Sequence, residues 1–223
     1  MKGVFIGLMA LGILIFLAAC AGEGPQEAAR MPSWAEELGL EEDAEVMAHI
    51  SRDFPYFTSI EGLRERATDI VRVEFLDQRV ELINTIIPPD NALADAGGEP
   101  REEYEIYTVY RILVLEVFQG GAEIGDTLEV KQVGGQWNHI HLISYDYIPF
   151  SIGDDMVLFL ETYDIEGMPG VFLNPGQSAY HFGPAQEAGD LYTPLESLIP
   201  ENRLTLTLGD LTQMKADYFN DFH

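Results

Sequence analysis

Between Gly135 and Tyr147 the chain reads Gly-Gln-Trp-Asn-His-Ile-His-Leu-Ile-Ser-Tyr-Asp-Tyr, a concentration of side chains suited to contact with a ligand. If Asn138 to Leu142 is extended, His139 and His141 project to one face, because strand side chains alternate. Neutral imidazoles about 7 Å apart can share a Zn²⁺ or Cu²⁺ once a carboxylate or a third imidazole completes the set, and Asp146 and His181 are candidates for that place. The alternative is two histidines on a wet strand face. Trp137, Tyr145 and Tyr147 are amphipathic aromatics of the kind that stack on a sugar or a peptide, and they suit the covering of a barrel end equally well. Ser178 and His181 invite comparison with a nucleophile and its base, but a hydrolase also needs an orienting acid and an oxyanion hole. Gly120 and Gly125 have Walker A spacing, yet Asp126 stands where the phosphate-binding lysine belongs, so this stretch is expected to be a hairpin turn. The chain has no G-x-S-x-G, H-E-x-x-H, C-x-x-C or EF-hand loop. No catalytic residue is assigned, and no cofactor beyond a possible divalent metal.

The elements around these residues change period along the chain. Ser33 to Ile50 is expected to be helical, with Trp34, Leu38, Val46 and Ile50 as an apolar stripe and an acidic solvent side, although Gly39 interrupts it. Thr58 and Glu61 stand three apart, the spacing of a capping box before Ile60, Leu63 and Ala67. From Asp69 the pattern is β-like. Two runs are expected between Ile70 and Ile86, ended by Pro88-Pro89, then a surface loop from Asp90 to Glu103. The stretch Tyr104 to Phe118 is too long to keep one face without a bulge. Leu128, Val130 and Gln132 alternate with Glu129, Lys131 and Val133 before Gly134-Gly135. Met156 to Leu160, entered through Gly153-Asp154-Asp155, suits a strand buried on both faces. Val171 to Leu173 and Tyr180 to Phe182 are shorter strands. Thr207 and Asp210 sit at cap spacing before a helical stripe of Leu208, Leu211, Met214 and Tyr218.

Twisted strands with glycine turns and helices at both ends predict a mainly β domain, a small Greek-key barrel of OB type. Ala67-Thr68-Asp69-Ile70-Val71, the long strand ending at Phe118-Gln119-Gly120, and Ile152 to Leu160 resemble uncharacterised domains of Gram-positive secreted lipoproteins. Their layout is similar to netrin and tissue-inhibitor-of-metalloproteinase modules, which implies an OB-type barrel over about residues 58 to 183. Those animal modules depend on disulfides, and the inhibitors of that type place a free amino-terminal cysteine on a protease zinc; here the single cysteine is expected to be lipidated, so protease inhibition is not carried over.

That cysteine closes the leader. Lys2 precedes an uncharged stretch whose apolar part ends in Leu17-Ala18-Ala19-Cys20, and these four residues resemble a bacterial lipobox. The resemblance implies a diacylglyceryl group on Cys20 and cleavage just before it. An uncleaved transmembrane helix is the competing reading, since about 20 apolar residues span a bilayer. Either way Lys2 holds the short end in the cytoplasm and the body is translocated. The expected organisation is a signal peptide over 1–19, a tether over 20–32 rich in Gly, Ala, Glu and Pro, and one globular domain over 33–223. Within that domain a helical lead-in covers 33–67, the barrel 68–183, and a carboxyl-terminal segment and helix 184–223.

Composition narrows the partners. Twelve basic against 38 acidic residues leave a net charge of −26, which repels nucleic acid and anionic headgroups. With 47% hydrophobic residues the chain has enough apolar material for a core. The expected function is therefore non-catalytic binding or interaction at the outer face of the cell membrane, with a cell-wall component or surface protein as partner and the lipid as anchor. A metal-binding lipoprotein using His139 and His141 is the alternative, and a cell-wall or glycan hydrolase the lesser one.

Overall fold

The structure, a computed structural model, describes residues 30–41, 45–85, 102–165 and 167–221. The leader, Cys20, almost all of the tether and most of the Asp90–Glu103 loop lie outside the described residues. In chain order the elements are α1 (Ser33–Glu37), β1 (Val46–Ile50), α2 (Ile60–Arg66), β2 (Asp69–Asn84), β3 (Tyr104–Gln119), β4 (Thr127–Val133) and β5 (Gly135–Trp137). They continue with β6 (Ile140–Ser144), β7 (Asp155–Glu161), β8 (Gly170–Phe172), β9 (Ala179–His181), α3 (Pro184–Glu187), β10 (Glu196–Ser197) and α4 (Leu208–Asp221).

Five strands form a partly closed ring in the order β2, β3, β4, β8, β7 and back to β2. All neighbours are antiparallel except β4 and β8, which run parallel. This is the connectivity of an OB-type Greek-key barrel, and the protein is mainly β. The long hairpin of β2 and β3 bends because the register slips where Phe118 and Leu115 of β3, and Leu76 of β2, have no opposite number. Bulges of this kind let a sheet curl far enough to meet itself. Closure is short: β4 meets β8 only at Val130↔Gly170 and Lys131↔Val171. The free edge of β7 is divided, with β9 against Met156 to Leu158 and β8 against Leu160 and Glu161.

The continuous apolar run of β7 follows from its position. Met156, Leu158 and Leu160 face the ring interior with Val71, Val73, Phe75, Tyr110 and Ile112. Val157 and Phe159 face outward, under α2 and α4, with Leu63, Ile70, Tyr180, Leu211 and Met214. Ile148 and Phe150 plug the ring, with the Phe150 ring stacked on Phe75 at 4.3 Å and on Phe172 at 5.3 Å. A second sheet, β1–β6–β5, packs its inner face on Ile106, Tyr107 and Val109 of β3.

Three expectations are corrected. Ser33 to Ile50 is not one helix. The first turn ends where Gly39 takes φ +66, so that Gly39 N–H bonds Glu36 O at 2.9 Å and Leu40 N–H bonds Ala35 O at 3.1 Å, the closing pattern of a Schellman motif. Val46, Ala48 and Ile50 then turn inward and Met47 and His49 outward, a period of two, and the strand pairs in parallel with β6. Thr58 is not the cap of α2: Ser59 is, its hydroxyl accepting from Gly62 N–H at 3.2 Å. The two runs expected after Ile70 are one 16-residue strand. The carboxyl-terminal box is as expected, with Thr207 N–H on Asp210 Oδ2 at 2.8 Å and Asp210 N–H on Thr207 Oγ1 at 3.1 Å.

Candidate functional site

The residues singled out between Gly135 and Tyr147 do not converge. β5 and β6 form a hairpin with Asn138 at φ +51 in its turn. Trp137 is half-buried against the cluster under the second sheet. Tyr145 is 72% exposed and stacks on His49 with ring centres 5.5 Å apart. Tyr147 turns the other way, its hydroxyl 2.7 Å from that of Tyr110 in the ring. His139 and His141 are exposed and open on one shallow hollow together with Glu45. The third ligands expected for a metal are elsewhere: Asp146 accepts from Arg52 N–H at 3.1 Å, and His181 lies on β9, opposite Met156. Among the described residues no three His, Cys, Asp or Glu side chains stand together as a metal cluster. Ser178 is wholly buried and donates its hydroxyl to Asn174 O at 2.6 Å, a bond within its own turn.

A different place in the fold has the attributes of a binding site. Beyond Lys131↔Val171 strand β4 runs on through Gln132 and Val133 with no further pairing to β8, and a cavity of about 280 Å³ occupies that seam. Its walls come from separated parts of the chain: Arg52 and Phe54 after β1, Tyr107 on β3, Lys131 to Val133 on β4, Asp146 after β6, Tyr163 and Met168 between β7 and β8, and Val171 and Phe172 on β8.

Two buried glutamines fix these walls by standing in for strand partners. Gln132 donates to Ile148 O at 2.8 Å and accepts from Ile148 N–H at 3.0 Å. Gln177 makes the same pair of bonds to the backbone of Phe57, at 2.8 and 2.9 Å, while Asn174 donates to Pro55 O at 3.0 Å. The irregular segments that carry Arg52, Phe54 and Asp146 are thereby held to the ring without a ladder of their own.

The charges in the cavity are unevenly satisfied. Glu105, on β3 behind the wall, is paired with the Arg52 guanidinium and accepts the Tyr107 hydroxyl at 3.1 Å. Burial, and then the nearby Glu105 charge, push the pKa of the Tyr107 phenol well above its ordinary value, so that it holds its proton. Lys131 is only 7% exposed. Its ammonium donates to the sulfur of Met168 at 3.1 Å and lies 4.9 Å from the centre of the Tyr107 ring. A thioether is a weak acceptor, and among the described residues no carboxylate pairs with this nitrogen. Burial lowers the Lys131 pKa, the Arg52 charge lowers it further, and Glu105 offsets part of the effect. The arrangement is a half-enclosed hollow of mixed polar and apolar lining with one under-satisfied cation at its wall, a form that suits a small-molecule site.

No protein-family model matches this chain, and neither a curated protein nor a solved structure does. The class defined by the fold and the site is an OB-type barrel with a small-molecule-sized cavity at its seam.

Proposed function

We propose that this chain is a lipoprotein held by Cys20 on the outer face of the cell membrane, and that its barrel is a non-catalytic binding domain whose ligand occupies the seam cavity. The observation that carries the binding reading is Lys131, a buried ammonium at the wall of a cavity with a thioether as its hydrogen-bond acceptor. Burying a charge without a full partner is costly, and such an arrangement is expected where a ligand completes it. Anchoring rests on Leu17-Ala18-Ala19-Cys20 and the apolar stretch before it. Two or more acyl chains, at about 0.8 kcal/mol per buried CH₂, hold a protein on a bilayer far better than one.

Mass spectrometry of the native protein tests the anchor: a diacylglyceryl group on Cys20 as the first residue is expected, and an unmodified thiol within an intact leader refutes it. The cavity is tested by a small-molecule thermal-shift screen on the detergent-solubilised full chain, repeated with Val171→Trp, which fills the seam. Hits lost in that variant are expected; hits it leaves unchanged place binding elsewhere. His139 and His141 share a hollow with Glu45, so a divalent cation at that hollow is the second reading. Zinc titration decides it, since stoichiometric uptake abolished by His139→Ala and His141→Ala together is required.

A further inference from the structure

The chemistry of the seam narrows its ligand, on the reading that the seam is the binding site. We propose that the cavity takes a small organic monocarboxylate with an apolar body, its carboxylate against Lys131 and its body among Met168, Val171 and Phe172.

The charge count selects a single negative charge. Arg52 is satisfied by Glu105, and Glu105 is further occupied by Tyr107. Asp146 accepts from the Arg52 backbone and remains an acid at the rim. Among the described residues of the lining that leaves one positive charge without a carboxylate partner, Lys131, in a chain whose net charge is −26. A dianion such as a phosphate monoester would bring a second charge with no cation to meet it and would face Asp146. A cation would meet Lys131 and Arg52. A neutral ligand would leave the ammonium as it stands, buried and bonded to sulfur.

Size and walls select the body. A cavity of about 150 Å³ accepts benzene, so the 280 Å³ here leaves room for a ring or branched chain together with a carboxylate. Phe54, Val133, Met168, Val171 and Phe172 give the lining its apolar part, and the Tyr107 ring already holds the cation from one side at 4.9 Å. An ammonium carries three donors, and Met168 takes one of them with a weak acceptor.

The test compares matched acids and amides on the detergent-solubilised full chain by isothermal titration. Phenylacetate and phenylacetamide are one pair, and 4-methylpentanoate and 4-methylpentanamide another. The acid of at least one pair is expected to bind saturably and about tenfold or more tighter than its amide, the worth of a charge-assisted hydrogen bond. Lys131→Met should erase that preference while keeping the affinity for the amide, and Val171→Trp should abolish both. The acid-to-amide ratio in the unsubstituted chain needs no variant, so a failure of Lys131→Met to fold does not blunt the test. Equal binding of acid and amide, lost in Val171→Trp, overturns the monocarboxylate inference and leaves the seam as a binding site. Acid binding that survives Val171→Trp overturns both readings, as does the absence of saturable binding by either member of both pairs at millimolar concentration.

Discussion

The Lys131 ammonium stands 3.1 Å from the sulfur of Met168, so a buried cation donates to one of the weakest acceptors a side chain offers. The cost of that arrangement is measurable. Lys131→Met keeps an unbranched side chain one atom shorter and removes the charge, so the protein without ligand should gain stability of about 1 kcal/mol, which is roughly 2–4 °C in Tm for a domain of this size. Burial lowers the Lys131 pKa in the folded state below the ordinary lysine value of 10.5, so the penalty is complete below the folded-state value and disappears as pH rises past the unfolded one. The gain from Lys131→Met should therefore be largest near neutrality and vanish above about pH 10.5. Thermal unfolding of both chains between those conditions checks it; a variant less stable than the parent at pH 7 contradicts the account.

Gln132 makes a second stability prediction. Its amide gives Ile148 both a donor and an acceptor, and Ile148 and Phe150 fill the ring. Gln132→Leu leaves a buried backbone N–H and C=O without partners, at roughly 1–3 kcal/mol each. The variant should unfold at lower urea concentration by an amount equivalent to about 2–6 kcal/mol, with loss of any binding at the seam. A shift below about 1 kcal/mol would mean that Ile148 finds other partners.

Gly120 closes the corner where β3 leaves the ring. It has φ +111, and an added Cβ would fall 2.7 Å from Thr68 O and closer still to the Asp69 carboxylate. That carboxylate is 5% exposed and holds the Thr162 hydroxyl and, at 3.3 Å, Ala122 N–H. Gly120→Ala must strain the backbone and displace Asp69, and a destabilisation of about 2 kcal/mol or more is expected in urea unfolding. Gly125→Ala provides the comparison: φ is +94 but nothing lies within 4 Å of the added atom, so only the backbone cost applies and the loss should be smaller.

How far these features are legible in the sequence differs by element. The apolar run Met156 to Leu160 is readable because a strand covered on both faces needs apolar side chains at every position, and the helix from Leu208 because Thr207 and Asp210 cap it locally. β1 is misread because Val46 and Ile50, four apart, fit a helical stripe as well as one face of a strand, and only its pairing with β6 decides. Gly39 is the local signal that separates it from α1. The seam is not legible at all. Lys131 occupies the polar position of an alternating strand, where exposure is the natural expectation, and it is buried because segments far away in sequence, around Tyr107 and Met168, close over it. The side chains between Trp137 and Tyr147 are readable as unusual, but a hairpin and a turn disperse them to different faces.

Arg79 and Glu129 give a pH dependence outside the seam. The guanidinium meets both oxygens of Glu129 at 2.8 Å, and these bonds lower the Glu129 pKa below its usual carboxylate value. A carboxylate with a lowered folded-state pKa contributes stability above its unfolded pKa, and the contribution is lost as pH falls through the folded-state value. Arg79→Met should thus cost stability at pH 7 and nothing once both states are protonated. The pair is more than a third exposed and solvent screens it, so the difference should also shrink in high salt. An Arg79→Met effect that is equal at pH 7 and in acid would assign it to lost packing of the side-chain stem.

Proton uptake on binding is the sharpest consequence of a carboxylate meeting Lys131. Burial and then Arg52 lower the lysine pKa, with Glu105 acting against them. Tyr107 on β3, Asp146 after β6 and Tyr163 after β7 are the other titratable groups at the cavity wall. A bound carboxylate favours the ammonium and raises its pKa again, so in the range between the two values binding draws a proton from solution. Affinity for the acid should be full below the free-state value and fall as pH rises through it, while affinity for the matched amide stays level. Titrations in buffers of different ionisation enthalpy read the uptake directly. It should grow from neutrality toward the free-state pKa and be absent in Lys131→Arg, whose guanidinium stays charged throughout. Uptake that persists in Lys131→Arg would assign the proton to another group and contradict a carboxylate bound on Lys131.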